Sequence, residues 1–199
     1  MKVNITGVGV FDLNQNSPLK TILPEIKKNL NNQKLPVAFL KDNDEIIDWH
    51  TPIKTDCVLK PLYPEDKKTL EILRHTASHI LAQAVKELFP EAKLGIGPAT
   101  EEGFYYDIWH PTPFKEEDLA KIEKKMKEII KQNLSLERKD IPKDEAIQLF
   151  KNLKEDFKIE LIEELEENTV SIYTQGNFVD LCKGPHLLST GNTFFLNPF

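Results

Sequence analysis

One long amphipathic helix is the strongest structural signal in this 199-residue chain. The segment from Leu70 to Phe89 follows the start signal Pro64-Glu-Asp66 and is stopped by Pro90. Its apolar residues recur at intervals of three and four, which places them on one stripe of a helix. The residues of this stripe are Leu70, Leu73, Ala77, Leu81, Ala84 and Leu88. We therefore expect the helix to bury one side in a core.

Two histidines, His75 and His79, lie one turn apart on the side of this helix away from the apolar stripe. At about 100° per residue they share their face with Ile72, Thr76 and Gln83. A histidine that only filled space in a core would lie on the stripe. The two residues are therefore either a metal-binding or catalytic pair, or surface histidines placed four apart by chance.

The composition is that of an ordinary globular protein, with 40% hydrophobic and 29% charged residues. No apolar run approaches the ~20 residues needed to span a bilayer, and the first residues lack the layout of a signal peptide. Two cysteines, Cys57 and Cys182, make no disulfide framework, which favours a reducing cytosol. We therefore expect a cytoplasmic protein without a membrane partner.

The net charge of −6 argues against a broad basic surface for nucleic acid. It does not exclude a partner that the protein touches at one end. An RNA contact is therefore expected to be local, or to depend on parts of a larger protein.

Residues 1–62 have the punctuation of a compact unit of short strands around one helix. Two strands, a helix and further strands are the order of a small β-grasp sheet. Pro24 lies inside the expected helix and should shorten or kink it. The expected elements are strands at 2–5, 8–13, 37–40, 45–49 and 57–62, and a helix at 19–30.

Residues 63–199 are expected to form an α/β unit in which the histidine helix packs beside an antiparallel sheet. The elements expected after that helix are helices at 115–136 and 144–153, a strand or strand-helix mixture at 157–165, and a hairpin over 170–173 and 178–182. The many outward lysines of the helix at 115–136 are expected to be a solvated face. The chain ends on an apolar run, 193–199, which suggests a larger natural protein or a stretch that covers another surface.

A second group of reactive side chains accompanies the last expected strand: Asp180, Cys182 and His186. Gly184-Pro185 prevents a continuous helix there, so Cys182 and His186 project from a strand end and the following turn. Asp180 and Cys182 point to one side, since side chains alternate along a strand. H-x-x-x-H with a distant C-x-x-x-H is a metal-ligand set, and it would equally serve hydrolysis without a metal. A nucleophilic Cys182 and a satisfied polar cluster are the other interpretations.

These motifs resemble the N-terminal part of bacterial threonyl-tRNA synthetases. The resemblance covers most of residues 63–191, in the order and with the spacing of that family. The segments that carry it run from Thr69 to His79, over Gly97-Pro98, from Gly103 to Asp107 and from Phe178 to Gly191. Residues 1–62 resemble that family's TGS domain more loosely. The paired His and Cys motifs also resemble the editing domains of alanyl-tRNA synthetases.

The resemblance implies an α+β fold with two domains. These are a small β-grasp (ubiquitin-like) TGS domain at 1–62 and a tRNA-editing domain at 63–199, with truncation at its C-terminal end left open. It also implies hydrolysis of the ester in seryl-tRNA that was made by mistake with threonine tRNA. Serine lacks one methyl group of threonine, and a missing methyl gives a pocket only about 1–3 kcal/mol of discrimination.

Six catalytic residues and two pocket-lining residues follow from the resemblance, motif by motif. Those that would position and activate the water and the ester are His75, Lys158 and Asp180. Those that would complete the pocket around the terminal adenosine and seryl group are His79, Cys182 and His186. Those that would line it are Tyr106 and Gly97.

The threonyl family implies a site without a cofactor, and zinc at His75, His79, Cys182 and His186 is the alternative. The implied partners are the acceptor end of threonine tRNA carrying serine, and the remaining catalytic and anticodon-binding domains of a homodimeric synthetase. This sequence has no counterpart of the aminoacylation core. A free-standing zinc-dependent deacylase and a non-catalytic tRNA-binding module remain as alternative functions.

Overall fold

The computed structural model describes residues 1–195, and the chain divides into two compact units. The first unit comprises Met1–Leu73 and Gly184–Leu188, and the second comprises Arg74–Lys183 and the residues from Ser189 onward. Several sheets occur together with five α-helices among the described residues, so the predicted α+β class is confirmed. Residues 196–199 of the apolar run at 193–199 lie outside the described residues.

Residues 1–62 of the first unit contain short strands and one α-helix, as the sequence predicts. The strands are β1 (Lys2–Ile5), β2 (Gly9–Asp12), β3 (Ser17–Pro18), β4 (Ala38–Lys41), β5 (Ile46–Ile47), β6 (Pro52–Ile53) and β7 (Cys57–Leu62). Five of them form one sheet in the order β2-β1-β7-β4-β5. Strands β1 and β7 run parallel at its centre, and the other neighbours run antiparallel.

The helix of the first unit is interrupted where a proline was expected to disturb it. A 3₁₀ turn over Leu19–Ile22 precedes α1 (Leu23–Asn29), and Pro24 lies in the first turn of α1. Proline is tolerated there because a first-turn N–H has no partner within the helix. In the core cluster of this unit, the indole of Trp49 is fully buried and donates a hydrogen bond to the Pro36 carbonyl oxygen at 2.9 Å.

Within residues 1–195, the second unit contains three whole α-helices and most of a fourth. Helix α2 (Lys67–Leu88) contributes its residues from Arg74 onward. The other elements are β8 (Lys93–Leu94), β9 (Ile108–Trp109), α3 (Glu116–Gln132), β10 (Leu136–Pro142), α4 (Lys143–Leu153), α5 (Asp156–Glu164), β11 (Thr169–Gln175) and β12 (Phe178–Leu181). The expected helices at 70–89, 115–136 and 144–153 are therefore confirmed, with ends shifted by a few residues.

Strands β10, β11 and β12 form an antiparallel sheet with one apolar and one polar face. On the apolar face, Ile172 packs with Phe150 of α4 in one core cluster. On the polar face, Gln175 Nε2 lies 3.2 Å from the His79 carbonyl oxygen and 2.7 Å from Gln83 Oε1, both on α2. The predicted packing of the histidine helix beside an antiparallel sheet is confirmed.

Helix α2 is buried on most of its surface, which differs from the predicted one-sided helix. Leu70, expected in the core, is 38% exposed, whereas Thr76 and Ser78 are fully buried. Ala82 belongs to a separate core cluster with Leu94 and Phe178, so a side outside the predicted stripe also meets a core. Hydrophobic periodicity locates apolar faces. It cannot detect polar side chains that are buried, and such side chains form hydrogen bonds inside the protein.

The segment expected as a strand or mixture at 157–165 is the helix α5, so that prediction is wrong. Ile159 and Ile162 lie three positions apart and both join the core cluster around Phe150. A short apolar segment has too few residues for its period to separate helix from strand.

Neither Cys57 nor Cys182 forms a disulfide within the described part of the chain. Among the same residues, none of the helices combines the length and the apolar character that a membrane span requires.

We predict that Phe150→Ala lowers the free energy of unfolding by about 3–5 kcal/mol, because the neighbours of a deleted buried ring fill its space only in part. Phe150 is fully buried, whereas Leu153 on the same helix is 41% exposed. Leu153→Ala is therefore the matched control and should cost less than about 1 kcal/mol. Urea unfolding followed by circular dichroism measures both changes, and equal effects of the two substitutions would contradict this packing.

Candidate functional site

Helix α2 and strand β12 bring together the side chains of the two motifs. The rings of His75 and His79 lie one helical turn apart, with centroids separated by 5.1 Å and planes almost perpendicular. Cys182 directly follows β12, and its Sγ lies 3.4 Å from His75 Nε2. Asp180 lies within β12 and places Oδ2 3.5 Å from His79 Nε2. Four of the expected site residues therefore meet in one place.

A buried ion pair lies beside the histidines. Lys158 Nζ on α5 is 2.5 Å from Asp180 Oδ1, and the two side chains are only 3% and 1% exposed. Lys158 Nζ also donates a hydrogen bond to Tyr106 Oη at 2.9 Å, and the Tyr106 hydroxyl donates to Asp180 Oδ2 at 2.5 Å. Three expected residues thus form a closed triangle in which each charged group has an opposite charge and a hydroxyl as neighbours.

The triangle fixes the protonation of two of its members. Burial alone would raise the pKa of Asp180, but the nearby charge of Lys158 and the hydrogen bonds from Lys158 and Tyr106 lower it below its usual value. Burial, together with the negative charge of Asp180, raises the pKa of Tyr106 well above its usual value. At neutral pH the triangle therefore contains an ionised carboxylate and a neutral phenol.

His79 is a neutral imidazole at neutral pH. Burial lowers its pKa to about 3, because the enclosed ring would lose the solvation of its charged form. The charge of Asp180 opposes this effect, while the neighbouring His75 and Lys158 add to it. A neutral imidazole keeps a lone pair, so His79 can accept a hydrogen bond or bind a metal ion.

Gly97 lies against the ring of Tyr106. A Cβ atom on Gly97 would lie 2.2 Å from Tyr106 Cδ2, which is far inside the contact distance of two carbon atoms. The Gly97 carbonyl oxygen in turn lies 2.7 Å from Ser78 Oγ of α2. The two residues expected to line the pocket are therefore neighbours, and the missing side chain at 97 lets Tyr106 reach the ion pair.

The expectation of a site without a cofactor is wrong, because four side chains at this place could hold a metal ion. His75, His79, Cys182 and His186 each offer one ligand atom, and these atoms all lie within 4.8 Å of one another. Imidazole nitrogen and thiolate sulfur are preferred ligands of Zn²⁺, and four of them complete a tetrahedral site. The motif spacing had allowed a metal, whereas the family resemblance had argued against one. The four residues form a group that could hold a metal ion.

Sequence analysis missed the residues that hold the site residues in place. Asp48 is fully buried, and its Oδ2 accepts a hydrogen bond from the His186 backbone N–H at 2.8 Å. Arg74 Nη1 donates to the Thr100 and Glu101 carbonyl oxygens at 2.9 and 2.7 Å. These contacts join a side chain to distant backbone groups, so no spacing or composition in the sequence marks them.

Comparison with known proteins finds a matching family model and several similar threonine–tRNA ligases. Residues 170–192 match the family model described as "Threonyl and Alanyl tRNA synthetase second additional domain". The chain is 50% identical over 185 residues to a threonine–tRNA ligase of Sulfurihydrogenibium sp. (strain YO3AOP1), covering 90% of this chain and 28% of that protein. It is 55% identical over 152 residues to the threonine–tRNA ligase of Clostridium tetani, covering 76% and 24% respectively.

The similarity extends along nearly the whole chain but over a minor part of each relative. The threonine–tRNA ligase of Acetivibrio thermocellus is 45% identical over 192 residues, which is 96% of this chain and 30% of that protein. The chain thus spans roughly a quarter to a third of the length of these curated relatives. It is related to one region of threonine–tRNA ligases, and that region includes an editing-type second additional domain segment.

We predict that Gly97→Ala displaces the Tyr106 ring and destabilises the second unit by about 1–3 kcal/mol, the usual cost of forcing atoms into a packed site. Gly103→Ala is the control, because a Cβ there has no heavy atom within 4 Å. It should change the free energy of unfolding by less than about 0.5 kcal/mol. Urea unfolding of both variants tests this difference, and an unperturbed Gly97→Ala variant would contradict the close approach.

In chelator-treated protein, we predict that part of the stability is lost as the pH falls from about 6.5 towards 3. In this window the unfolded chain binds a proton on His79, whose ordinary pKa is 6.5, while the buried ring stays neutral. The contribution of His79 approaches about 1.4 kcal/mol per pH unit. His79→Gln keeps a polar group that cannot titrate, so its urea unfolding should depend less on pH between 6.5 and 5. Parallel pH profiles of variant and wild type would exclude the buried neutral imidazole.

Proposed function

We propose that this chain is the editing region of a threonyl-tRNA synthetase and that it hydrolyses the ester of seryl-tRNA(Thr). The observation that carries the proposal is the buried Lys158–Asp180–Tyr106 triangle beside His75 and His79. Neutral imidazole, ionised carboxylate and fixed positive charge are the groups that acid–base hydrolysis of an ester uses. The similarity to threonine–tRNA ligases supports an aminoacyl-tRNA as the class of substrate.

The need for such a site follows from the size of the amino acids. A pocket that accepts threonine also admits serine, and the absent methyl group is worth only about 1–3 kcal/mol of discrimination. A second site, which cleaves the serine ester and leaves the threonine ester intact, adds the missing selectivity. Its substrate is an aminoacyl ester at the 3′ end of a tRNA.

The chemistry consumes one water molecule and requires two proton transfers, one from the water and one to the leaving oxygen. The oxygen of water bonds to the ester carbonyl carbon, and the bond from that carbon to the ribose oxygen breaks. His75 is only partly buried, so it can take the proton from water and then return this proton to the ribose oxygen as that oxygen leaves. The positive charge of Lys158 stabilises the oxyanion that forms at the carbonyl, while Asp180 holds Lys158 and Tyr106 in position.

A bound metal ion fits the same site. The group of His75, His79, Cys182 and His186 would hold it, and a bound Zn²⁺ supplies Lewis-acid polarisation of water or carbonyl. Lys158 and Asp180 lie outside this ligand group and orient the ester whether or not the metal is bound. A zinc-dependent deacylase of the alanyl-editing kind is therefore the second candidate function.

The partner proposals follow from the same assignment. Residues 1–62 would be a TGS-like β-grasp domain, supported by the strand order β2-β1-β7-β4-β5, and residues 63–199 would be the editing domain. The partners would be the acceptor end of tRNA(Thr) carrying serine and the remaining domains of a homodimeric synthetase in the cytoplasm.

A purely RNA-binding role has weaker support from the surface charges. Such a role would depend on the TGS-like unit and on the lysine-rich helix α3. Lys121, Lys125 and Lys127 of α3 all form ion pairs with acidic side chains. Charges that are neutralised by neighbours contribute little to a nucleic-acid surface.

We predict that the chain deacylates seryl-tRNA(Thr) at least tenfold faster than threonyl-tRNA(Thr). The assay follows release of labelled serine or threonine, with zinc quantified in the same protein sample. Loss of activity together with stoichiometric zinc upon chelation would select the zinc-dependent function. Tight, salt-sensitive tRNA binding without release of either amino acid would select the RNA-binding role and contradict the proposed hydrolysis.

We predict that Asp180→Asn and Lys158→Met each lower the deacylation rate by about 10²-fold or more, the usual contribution of a positioned catalytic group. Lys124→Met, at an exposed position of α3, is the control and should keep the wild-type rate. Circular dichroism and thermal unfolding identify any variant that fails to fold. Full activity in both folded site variants would remove the triangle from the mechanism.

A further inference from the structure

Helix α2 carries a second pair of residues one turn apart, directly beside the two histidines. Arg74 and Ser78 each precede a histidine by one position, so two pairs with a spacing of four are interleaved on the helix. The histidine pair contacts Cys182 and Asp180. The other pair contacts the segment between β8 and β9, which we call the 95–107 hairpin.

The contacts of this pair hold the hairpin at two points. Arg74 Nη1 donates one hydrogen bond to each of the Thr100 and Glu101 carbonyl oxygens, at 2.9 and 2.7 Å. Ser78 Oγ lies 2.7 Å from the Gly97 carbonyl oxygen and 2.8 Å from the carbonyl oxygen of His75, so one hydroxyl hydrogen serves both acceptors. Hydrogen bonds from a charged guanidinium are stronger than those between neutral groups, so Arg74 is the stronger attachment.

The hairpin sets the position of Tyr106. Its two arms are joined by hydrogen bonds from Gly95 N to Asp107 O and from Asp107 N to Ile96 O, both 2.8 Å. Tyr106 lies on the returning arm with its ring against Gly97 on the outgoing arm. A shift of the outgoing arm therefore moves the Tyr106 hydroxyl relative to the ion pair.

We propose that Arg74 and Ser78 are positioning residues for the hydrolytic site. They fix the 95–107 hairpin on α2, so that Tyr106 Oη stays between Lys158 and Asp180. Neither residue has to touch the ester, because its effect passes through Tyr106. The inference rests on the proposed function, in which a misplacement of about 1 Å can cost 10²-fold in rate.

The test uses the 199-residue chain with Arg74→Met, Ser78→Ala and the conservative Arg74→Lys. For seryl-tRNA(Thr) deacylation, Arg74→Met should lower kcat at least tenfold and change KM less than twofold. Arg74→Lys should recover part of this loss, because its ammonium can still donate to the carbonyl oxygens. Glu71→Gln, an exposed residue of the same helix, is the control and should leave kcat unchanged.

A spectroscopic measurement reports the position of Tyr106 without any substrate. In protein labelled with tyrosine carrying ¹³C at Cζ, the Tyr106 resonance is assigned by its absence in Tyr106→Phe. In Arg74→Met and Ser78→Ala it should move towards the position of a solvent-exposed tyrosine, whereas in Glu71→Gln it should not move.

The outcomes separate this inference from the proposed function. An unchanged Tyr106 resonance in folded Arg74→Met and Ser78→Ala overturns the inference, and so does an unchanged kcat. A wild-type chain that fails to deacylate seryl-tRNA overturns the proposed function, while the resonance still decides whether the pair positions Tyr106. If Arg74→Met does not fold, Ser78→Ala and Arg74→Lys decide the question by the same two measurements.

Discussion

The buried ion pair between Lys158 and Asp180 is the interaction on which the candidate site depends. Removing two charges from water costs several kcal/mol of desolvation free energy per ion. The attraction between the charges offsets this cost only when hydrogen bonds satisfy their remaining donors and acceptors. The Tyr106 hydroxyl completes it by accepting from one partner and donating to the other. Helix α5, strand β12 and the 95–107 hairpin are therefore tied together by a contact whose parts are stable only in combination.

Short spacings made the reactive residues predictable. His75 and His79 share a helix face because they are four apart, and Asp180 and Cys182 share a strand side because they are two apart. About a hundred residues separate the two motifs, so spacing alone could not show that they meet. The helices α2, α3 and α4 followed from their period, whereas α5 was too short for its period to identify it.

The remaining parts of the site depend on features that leave no pattern in a sequence. Tyr106 enters the ion pair because Gly97 lacks a side chain, and a lone glycine is more often the mark of a turn. Ser78 lies outside the apolar stripe that periodicity identifies, yet it is fully buried. The family resemblance favoured a site without metal, but the side chains of His75, His79 and Cys182, with His186, form a group that could bind one.

The first unit includes the late segment Gly184–Leu188, and this affects the order in which the chain folds during synthesis. Asp48 and His50 are buried, and each has one partner late in the sequence, the His186 backbone N–H for Asp48 and the Leu187 carbonyl oxygen for His50. These partners leave the ribosome more than a hundred residues later, which takes on the order of ten seconds. Until then these two side chains, which follow strand β5, lack these hydrogen bonds. The nascent unit must therefore wait for a late segment before its interior is complete.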